Sequence, residues 1–160
     1  MSKLGIKKIT ARDRTWVRKI LSLHWGSHML VSRGKIYDST ILPGFMAFWD
    51  HKPVGLCTYH MVNDQLEITS LNSLKENMGV GSALIRALIK EAKKKKCSRI
   101  WLITTNDNLH AIGFYQKRGF NLRRLYPNAI LKSRQLKPEI PHVGQNGIPI
   151  RDELEFEIAL

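Results

Sequence analysis

Residues 79 to 96 place apolar side chains at Val80, Ala83, Leu84, Ala87 and Leu88, with Ser82, Arg86, Lys90, Lys93 and Lys94 on the other side. This spacing is one face of an amphipathic helix, roughly 25 Å long at 1.5 Å per residue. A helix with one such face needs another layer to bury it. The flanking segments supply one: Leu66 to Leu71 before it and Ile100 to Thr104 after it read as strands.

The rest of the chain fits around that unit. Leu4 to Thr10 reads as a short strand, and Thr10-Ala-Arg-Asp13 is a capping-box pattern that opens a helix from about Asp13 to His24. Trp16, Val17, Ile20, Leu21 and His24 share its core-facing side. Gly26, Gly34, Pro43 and Gly44 punctuate an irregular stretch, expected to be a second short helix or a loop. Phe45 to Trp49 and Val54 to Val62 form a hairpin around Asp50-His-Lys-Pro53, and Asn63-Asp64 turns into the third antiparallel strand. Simple alternation there puts Leu66, Ile68 and Ser70 on one face and Glu67, Thr69 and Leu71 on the other.

A helix over Asn108 to Arg118 is stopped by Gly119, and strands follow at Phe120 to Tyr126 and Glu153 to Ala159. Between those strands lie a short helix near Asn128 to Leu136 and a proline-bearing surface loop. The order of elements predicts an α/β or α+β fold with a mixed sheet, in one domain over residues 1–160.

Composition narrows the class. A chain of 160 residues, 43% hydrophobic, buries roughly 68–70% of its unfolded surface and needs no staples. Its longest charge-free stretches, Ser39 to Trp49 and Pro53 to Asn63 among them, fall short of the roughly 18 apolar residues that span a bilayer. The first residues show no secretory signal, and the cysteines, Cys57 and Cys97, set no disulfide framework, so a cytoplasmic protein is expected. Twenty-six Lys and Arg against 13 Asp and Glu give a net charge of +13, concentrated in the second half before an acidic C-terminal strand. That field attracts anions: a phosphorylated cofactor, nucleic acid or an acidic surface.

Chemistry is concentrated in two places. The first is Leu71-Asn-Ser-Leu-Lys-Glu-Asn-Met-Gly-Val-Gly-Ser82, a strand running through a glycine-bearing loop into the long helix. Amides at a helix N-terminus lack partners and the dipole is positive there, so a phosphate is a natural occupant. Neither a dinucleotide fingerprint nor a Walker loop fits, because Leu84 stands where the former needs a small residue and the Gly-Lys-Ser/Thr of the latter is absent. In the second, Asn108, Ala111 and Tyr115 share one helical face, placing a phenol where it could donate a proton at a cleft edge.

Together the two segments resemble the Gcn5-related N-acetyltransferase superfamily. Its acetyl-CoA loop, Gln/Arg-x-x-Gly-x-Gly/Ala, falls on Glu76-Asn-Met-Gly79-Val-Gly81, with Glu at the position usually Gln or Arg. Its next motif, Asn-x-x-Ala-x-x-Phe-Tyr-x-x-x-Gly-Phe, is matched by Asn108, Ala111, Phe114, Tyr115, Gly119 and Phe120. The resemblance implies a mostly antiparallel sheet flanked by helices, in which two parallel strands splay to form the acetyl-CoA cleft. It implies acetyl-CoA as co-substrate without a metal, bound by Leu71, Asn77, Met78, Gly79, Val80, Gly81, Ser82, Asn108 and Tyr115. It also implies acyl transfer by direct attack of a primary amine. On that reading Glu67 is the candidate base, the Leu71 amide steadies the oxyanion and Tyr115 protonates the leaving thiolate. A carboxylate at Glu76 repels pyrophosphate unless it turns away, and Lys75 is the neighbouring compensating charge.

The acceptor carries no signature; a small-molecule amine and a protein or peptide amine both fit. Net charge favours acidic or macromolecular acceptors over polycations. Two other functions remain open: a non-catalytic acyl-CoA-binding regulator, and a basic RNA- or ribosome-associated module, nucleic acid being the less favoured partner. No membrane association is expected. Cys57 and His60, three apart on a strand, face opposite sides, and Gly26 interrupts the His24/His28 pair, so neither gives a zinc pattern. Cys97 is expected to be structural, Lys93 to Lys96 a solvated helix end, and Trp16, Trp25, Trp49 and Trp101 core or cleft-wall residues.

Overall fold

A computed structural model describes residues 3–27 and 29–160. Its elements are β1 (Leu4–Lys8), α1 (Arg14–Trp25), β2 (Met29–Ser32), β3 (Lys35–Asp38), β4 (Gly44–Trp49), β5 (Lys52–Val62), β6 (Gln65–Ser73) and α2 (Val80–Lys94). They continue with β7 (Arg99–Thr105), α3 (Leu109–Lys117), β8 (Asn121–Tyr126), α4 (Ile130–Leu136) and β9 (Glu153–Ala159). Seven strands form one sheet in the order β1-β4-β5-β6-β7-β9-β8, and β2 pairs with β3 separately. Within the large sheet β6 and β7 run parallel while the other neighbours are antiparallel. The fold is a mixed, mostly antiparallel sheet flanked by helices, as expected.

Strand alternation gives the sheet two different faces. Val80, Leu84 and Leu88 of α2 pack with Cys57, Ile68, Ile100, Leu102 and Phe156 in the larger core. Val17, Ile20 and Leu21 of α1 pack on Met46 and Leu56, which pair across β4 and β5 on the opposite face. His24, expected to join that side of α1, is exposed, and His28 lies outside the described residues. Trp25 is also exposed; its indole N–H donates to Asn72 Oδ1 at 3.1 Å.

Two corrections bear on the site. The stretch expected as helix or loop after Gly26 contains the β2–β3 hairpin, whose two-residue turn Arg33-Gly34 has φ of 47° and 71°. Both central residues are left-handed, which matches the twist of paired strands. The second concerns β6: Thr58 pairs with Ser70 but Tyr59 pairs with Ile68, so Thr69 is an extra residue in a bulge. Two residues opposing one shifts the alternation. Leu71 therefore pairs with Cys57 and packs on the α2 core beside Ile68, on the face opposite to the one simple alternation gives it. Thr58 Oγ1 closes the bulge with Thr69 Oγ1 at 2.8 Å and Ser70 Oγ at 2.5 Å.

Candidate active site

The parallel pairing of β6 and β7 runs from Gln65–Arg99 to Ile68–Leu102 and stops there. Both strands continue: β5 holds β6 as far as Ser73, and β9 holds β7 as far as Thr105. A gap opens between them. Leu74 N donates to Val54 O at 2.8 Å, and amides alternate in direction along a strand, so those of Ser70 and Asn72 also turn toward β5. By the same parity the Leu71 amide faces the gap.

The loop after β6 is exposed and ends at Gly79, the N-cap of α2, with a left-handed φ of 75° and open space where a Cβ would stand. Asn77 is left-handed as well, at φ 57°, and Met78 is exposed. The first amide bonded within the helix is that of Ala83, to Gly79 O at 3.0 Å. The amides of Val80, Gly81 and Ser82 precede it and form the electropositive end of α2. A Cβ on Gly81 would lie 2.7 Å from the Phe114 ring, so this glycine is required by the packing of α3 on α2. Ser82 Oγ accepts from Arg118 Nε at 3.0 Å, and that guanidinium lies 3.6 Å from the Phe114 ring centre.

On α3, Asn108 caps the helix: its Oδ1 accepts from the Ala111 amide at 3.2 Å. Tyr115 is buried, its ring edge-on to Phe114 and Phe120 at 5.1 and 5.3 Å. Burial first, and then neighbouring Cys57, push its hydroxyl far above the usual tyrosine range. Cys57 is the cross-strand partner of Leu71, and Tyr115, Cys57 and Leu71 all belong to the core on the α2 face of the sheet. At neutral pH the phenol keeps its proton.

Glu67 lies one residue before the gap, on the face away from α2, where it is 4% exposed. Ser32 Oγ donates to Oε1 at 2.6 Å and Tyr37 OH to Oε2 at 3.2 Å. Burial raises the carboxyl above its ordinary value; the two hydroxyls and the charge of Lys35 oppose the rise, and Glu153 adds to it. Tyr37, pushed up to about 12 by burial and by Glu67, stays a donor. Glu67 lines a cavity of about 160 Å³ together with Tyr37, His60 and Trp101, and the rings of Tyr37 and His60 lie 4.9 Å apart.

The ten residues singled out in the sequence thus divide between the two faces. Leu71 lies where the gap opens, Asn77 to Ser82 on the loop and first turn of α2, Asn108 and Tyr115 at the cap and in the body of α3, and Glu67 in the cavity on the other face. Trp101, expected as a core or cleft-wall residue, lines the cavity, and Ser32, Tyr37, His60 and Arg118 complete these surroundings without having been singled out for them. For Ser32 and Tyr37 the one available signal was weak, Gly34 between the apolar runs Met29-Leu-Val31 and Ile36-Tyr37. Cys57 and Cys97 are both buried free thiols; burial pushes Cys57 up to about 12 and raises Cys97 as well. Among the described residues no group of three or more His, Cys, Asp or Glu is placed to hold a metal, and no helix is long and apolar enough to cross a membrane.

A sequence model described as the acetyltransferase (GNAT) family matches residues 14–120. The uncharacterized protein YxbD of Bacillus subtilis is 48% identical over 132 residues, 82% of this chain and 83% of that one. Among solved structures, the IAA acetyltransferase from Bacillus cereus superposes with a TM-score of 0.75 at 18% identity, over 99% of this chain and 100% of the other. A GNAT family acetyltransferase from Elizabethkingia anophelis, with acetyl-CoA bound, gives 0.71 at 19% identity over 98% of each chain.

Proposed function

This chain belongs to the acetyltransferase (GNAT) family, and on that premise we propose that it is an acetyl-CoA-dependent N-acetyltransferase acting as a single domain on a primary amine. One observation carries the reading: the β6–β7 pairing stops at Ile68–Leu102 while both strands continue, and strand parity turns the Leu71 amide into the gap this leaves. Together with the amide end of α2, this gap fits a diphosphate-bearing thioester. Asn77, Met78, Gly79, Val80, Gly81 and Ser82 would hold the diphosphate through main-chain amides, with Leu71, Asn108 and Tyr115 further along the gap. The co-substrate supplies an activated acetyl group. Arg118, on Ser82, brings a positive charge to the side where Glu76 is unfavourable.

The acceptor arrives as an ammonium, since an amine of pKa near 10.4 is neutral in roughly one molecule in a few thousand at pH 7. Glu67 takes the proton through water, because four residues of strand, roughly 13 Å, separate it from Leu71. The amine nitrogen bonds to the acetyl carbon as the carbon–sulfur bond breaks, and the proton lost by nitrogen passes to Glu67 and on to solvent. The Leu71 amide donates to the carbonyl oxygen while it carries charge. Tyr115 gives its proton to the departing sulfur and recovers one from solvent. The sum is an amide and a free thiol.

The test is thiol release from acetyl-CoA across polyamines, aminoglycosides, amino acids and peptides, with mass spectrometry of the products. Amine-dependent release and an acetylated amine are expected. Acetyl-CoA binding without release on any amine overturns catalysis in favour of a regulator. RNA binding with steep salt dependence and no acetyl-CoA binding overturns both.

A further inference from the structure

We propose that the acceptor is a compact amino acid-like molecule, with its amine on the gap side of Glu67 and linked to that carboxylate through water, and an anionic group toward Lys35 and Arg33 of the β2–β3 hairpin. This rests on the acetyltransferase reading above and concerns the acceptor half of that site.

Size is the first argument. The recess beside Glu67 measures about 160 Å³, below the roughly 300 Å³ at which drug-sized ligand sites begin. A small molecule fits there whole, whereas a larger acceptor could insert only its amine-bearing residue. The hairpin that roofs the cavity is tied down by Ser32 and Tyr37 on Glu67, and by the Arg33 amide on Glu153 Oε2 at 3.3 Å.

Charge is the second argument. Glu67 is the carboxylate on the cavity wall, while the hairpin brings two cations, Arg33 and Lys35, to the same lining. Neither comes within ion-pair distance of a carboxylate among the described residues, although the charge of Lys35 is felt by Glu67. The Arg33 guanidinium instead lies over the Tyr126 ring, 3.4 Å from its centre. A simple monoamine or a polyamine would leave both cations facing its own positive charge. A molecule with an anion a few bonds from its amine answers both signs at once. The Tyr37, His60 and Trp101 rings leave apolar wall for its remaining carbon atoms.

The experiment uses the full chain with acetyl-CoA and matched acceptors: small α-amino acids, the corresponding amino acid amides, spermidine and a peptide with a free N-terminus. Thiol release is expected to give kcat/KM at least tenfold higher for an amino acid than for its amide. Lys35→Gln should bring that ratio toward one, chiefly through KM, and Lys35→Arg should restore it; circular dichroism and melting temperature show whether each variant is folded. If spermidine, the peptide or the amide is the better acceptor, this acceptor class is wrong while acetyl transfer stands. If acetyl-CoA binds but no acceptor releases thiol, the acetyltransferase reading falls and takes the acceptor with it. A ratio unchanged in folded Lys35→Gln also overturns the proposal.

Discussion

On the α2 side of the sheet, the groups proposed to hold the co-substrate come from two short stretches, 71–82 and 108–120. On the hairpin side, Glu67 meets Ser32, Tyr37, His60 and Trp101, which come from β2, β3, β5 and β7. The first set is built from main-chain amides and one phenol, which helix and strand geometry orient whatever the intervening side chains are. The second depends on side chains that meet only after the sheet and the hairpin have formed. A shared co-substrate chemistry can therefore persist on one face while the other face changes its acceptor.

The strongest way to sharpen that contrast is Glu67→Gln. Loss of the base should lower kcat/KM about 100-fold, or about 2.7 kcal/mol, with acetyl-CoA affinity unchanged by calorimetry. Burial raises this carboxyl, so the base is lost as pH falls through a value above the ordinary carboxylate range, and the acid limb of the wild-type profile should lie there. Stability carries the opposite sign. With a folded pKa above the unfolded one, the contribution of Glu67 is full at low pH and is lost as pH rises through the folded value. The melting temperature of Glu67→Gln relative to wild type should therefore improve from pH 4 to pH 8. A changed acetyl-CoA affinity would break the division between faces.

Next in size is Gly81→Ala. Its Cβ would stand 2.7 Å from the Phe114 ring, and forcing α3 off α2 should cost about 2 kcal/mol in urea denaturation. The loss belongs to the α2 side, so residual activity should show weakened acetyl-CoA binding before any change in acceptor preference. Equal stability would mean that the ring moves freely, and that the gap is less rigid than its packing implies.

Tyr115→Phe follows. Removing the hydroxyl should lower turnover at least tenfold, about 1.4 kcal/mol, with little change in acetyl-CoA affinity. Because burial holds the phenol far above its usual range, wild-type turnover should show no loss near pH 10 from ionisation of this residue. Unchanged turnover in the variant would make the phenol a packing residue, leaving the Leu71 amide as the proposed catalytic group on that face.

How much of this was legible in the sequence differs between the faces for a physical reason. The α2 stripe, the Gly119 stop, with φ of 93°, and the β9 boundaries follow from local periodicity and backbone preference. The bulge at Thr69 does not: it is a property of the β5–β6 register, and it alone moves Leu71 to the α2 face. Arg33-Gly34 lacks the Asn or Asp that marks most two-residue turns, so β2 and β3 were hidden. Glu67 was visible as a carboxylate in a strand, but its partners are 30 and 35 residues away in the chain. The acidic pattern of β9 likewise gave no hint that Glu153 and Glu155 are buried, one beside Ser133 and the other under Arg99 and Tyr126.

The smallest effect tests whether the motif residue Asn108 is structural, catalytic or both. Its side chain already caps α3 through the Ala111 amide, and removing such a cap costs about 1 kcal/mol. Asn108→Ala should lose that much stability, whereas Asn108→Asp, which keeps the accepting oxygen, should lose little. Acetyl-CoA affinity separates the roles. If the alanine variant binds normally once its folded fraction is accounted for, the motif asparagine serves α3 and positions Tyr115 only through the helix. If the aspartate variant keeps its stability but binds more weakly, the amide N–H₂ reaches the co-substrate, and a residue fixed by helix capping also belongs to the binding face.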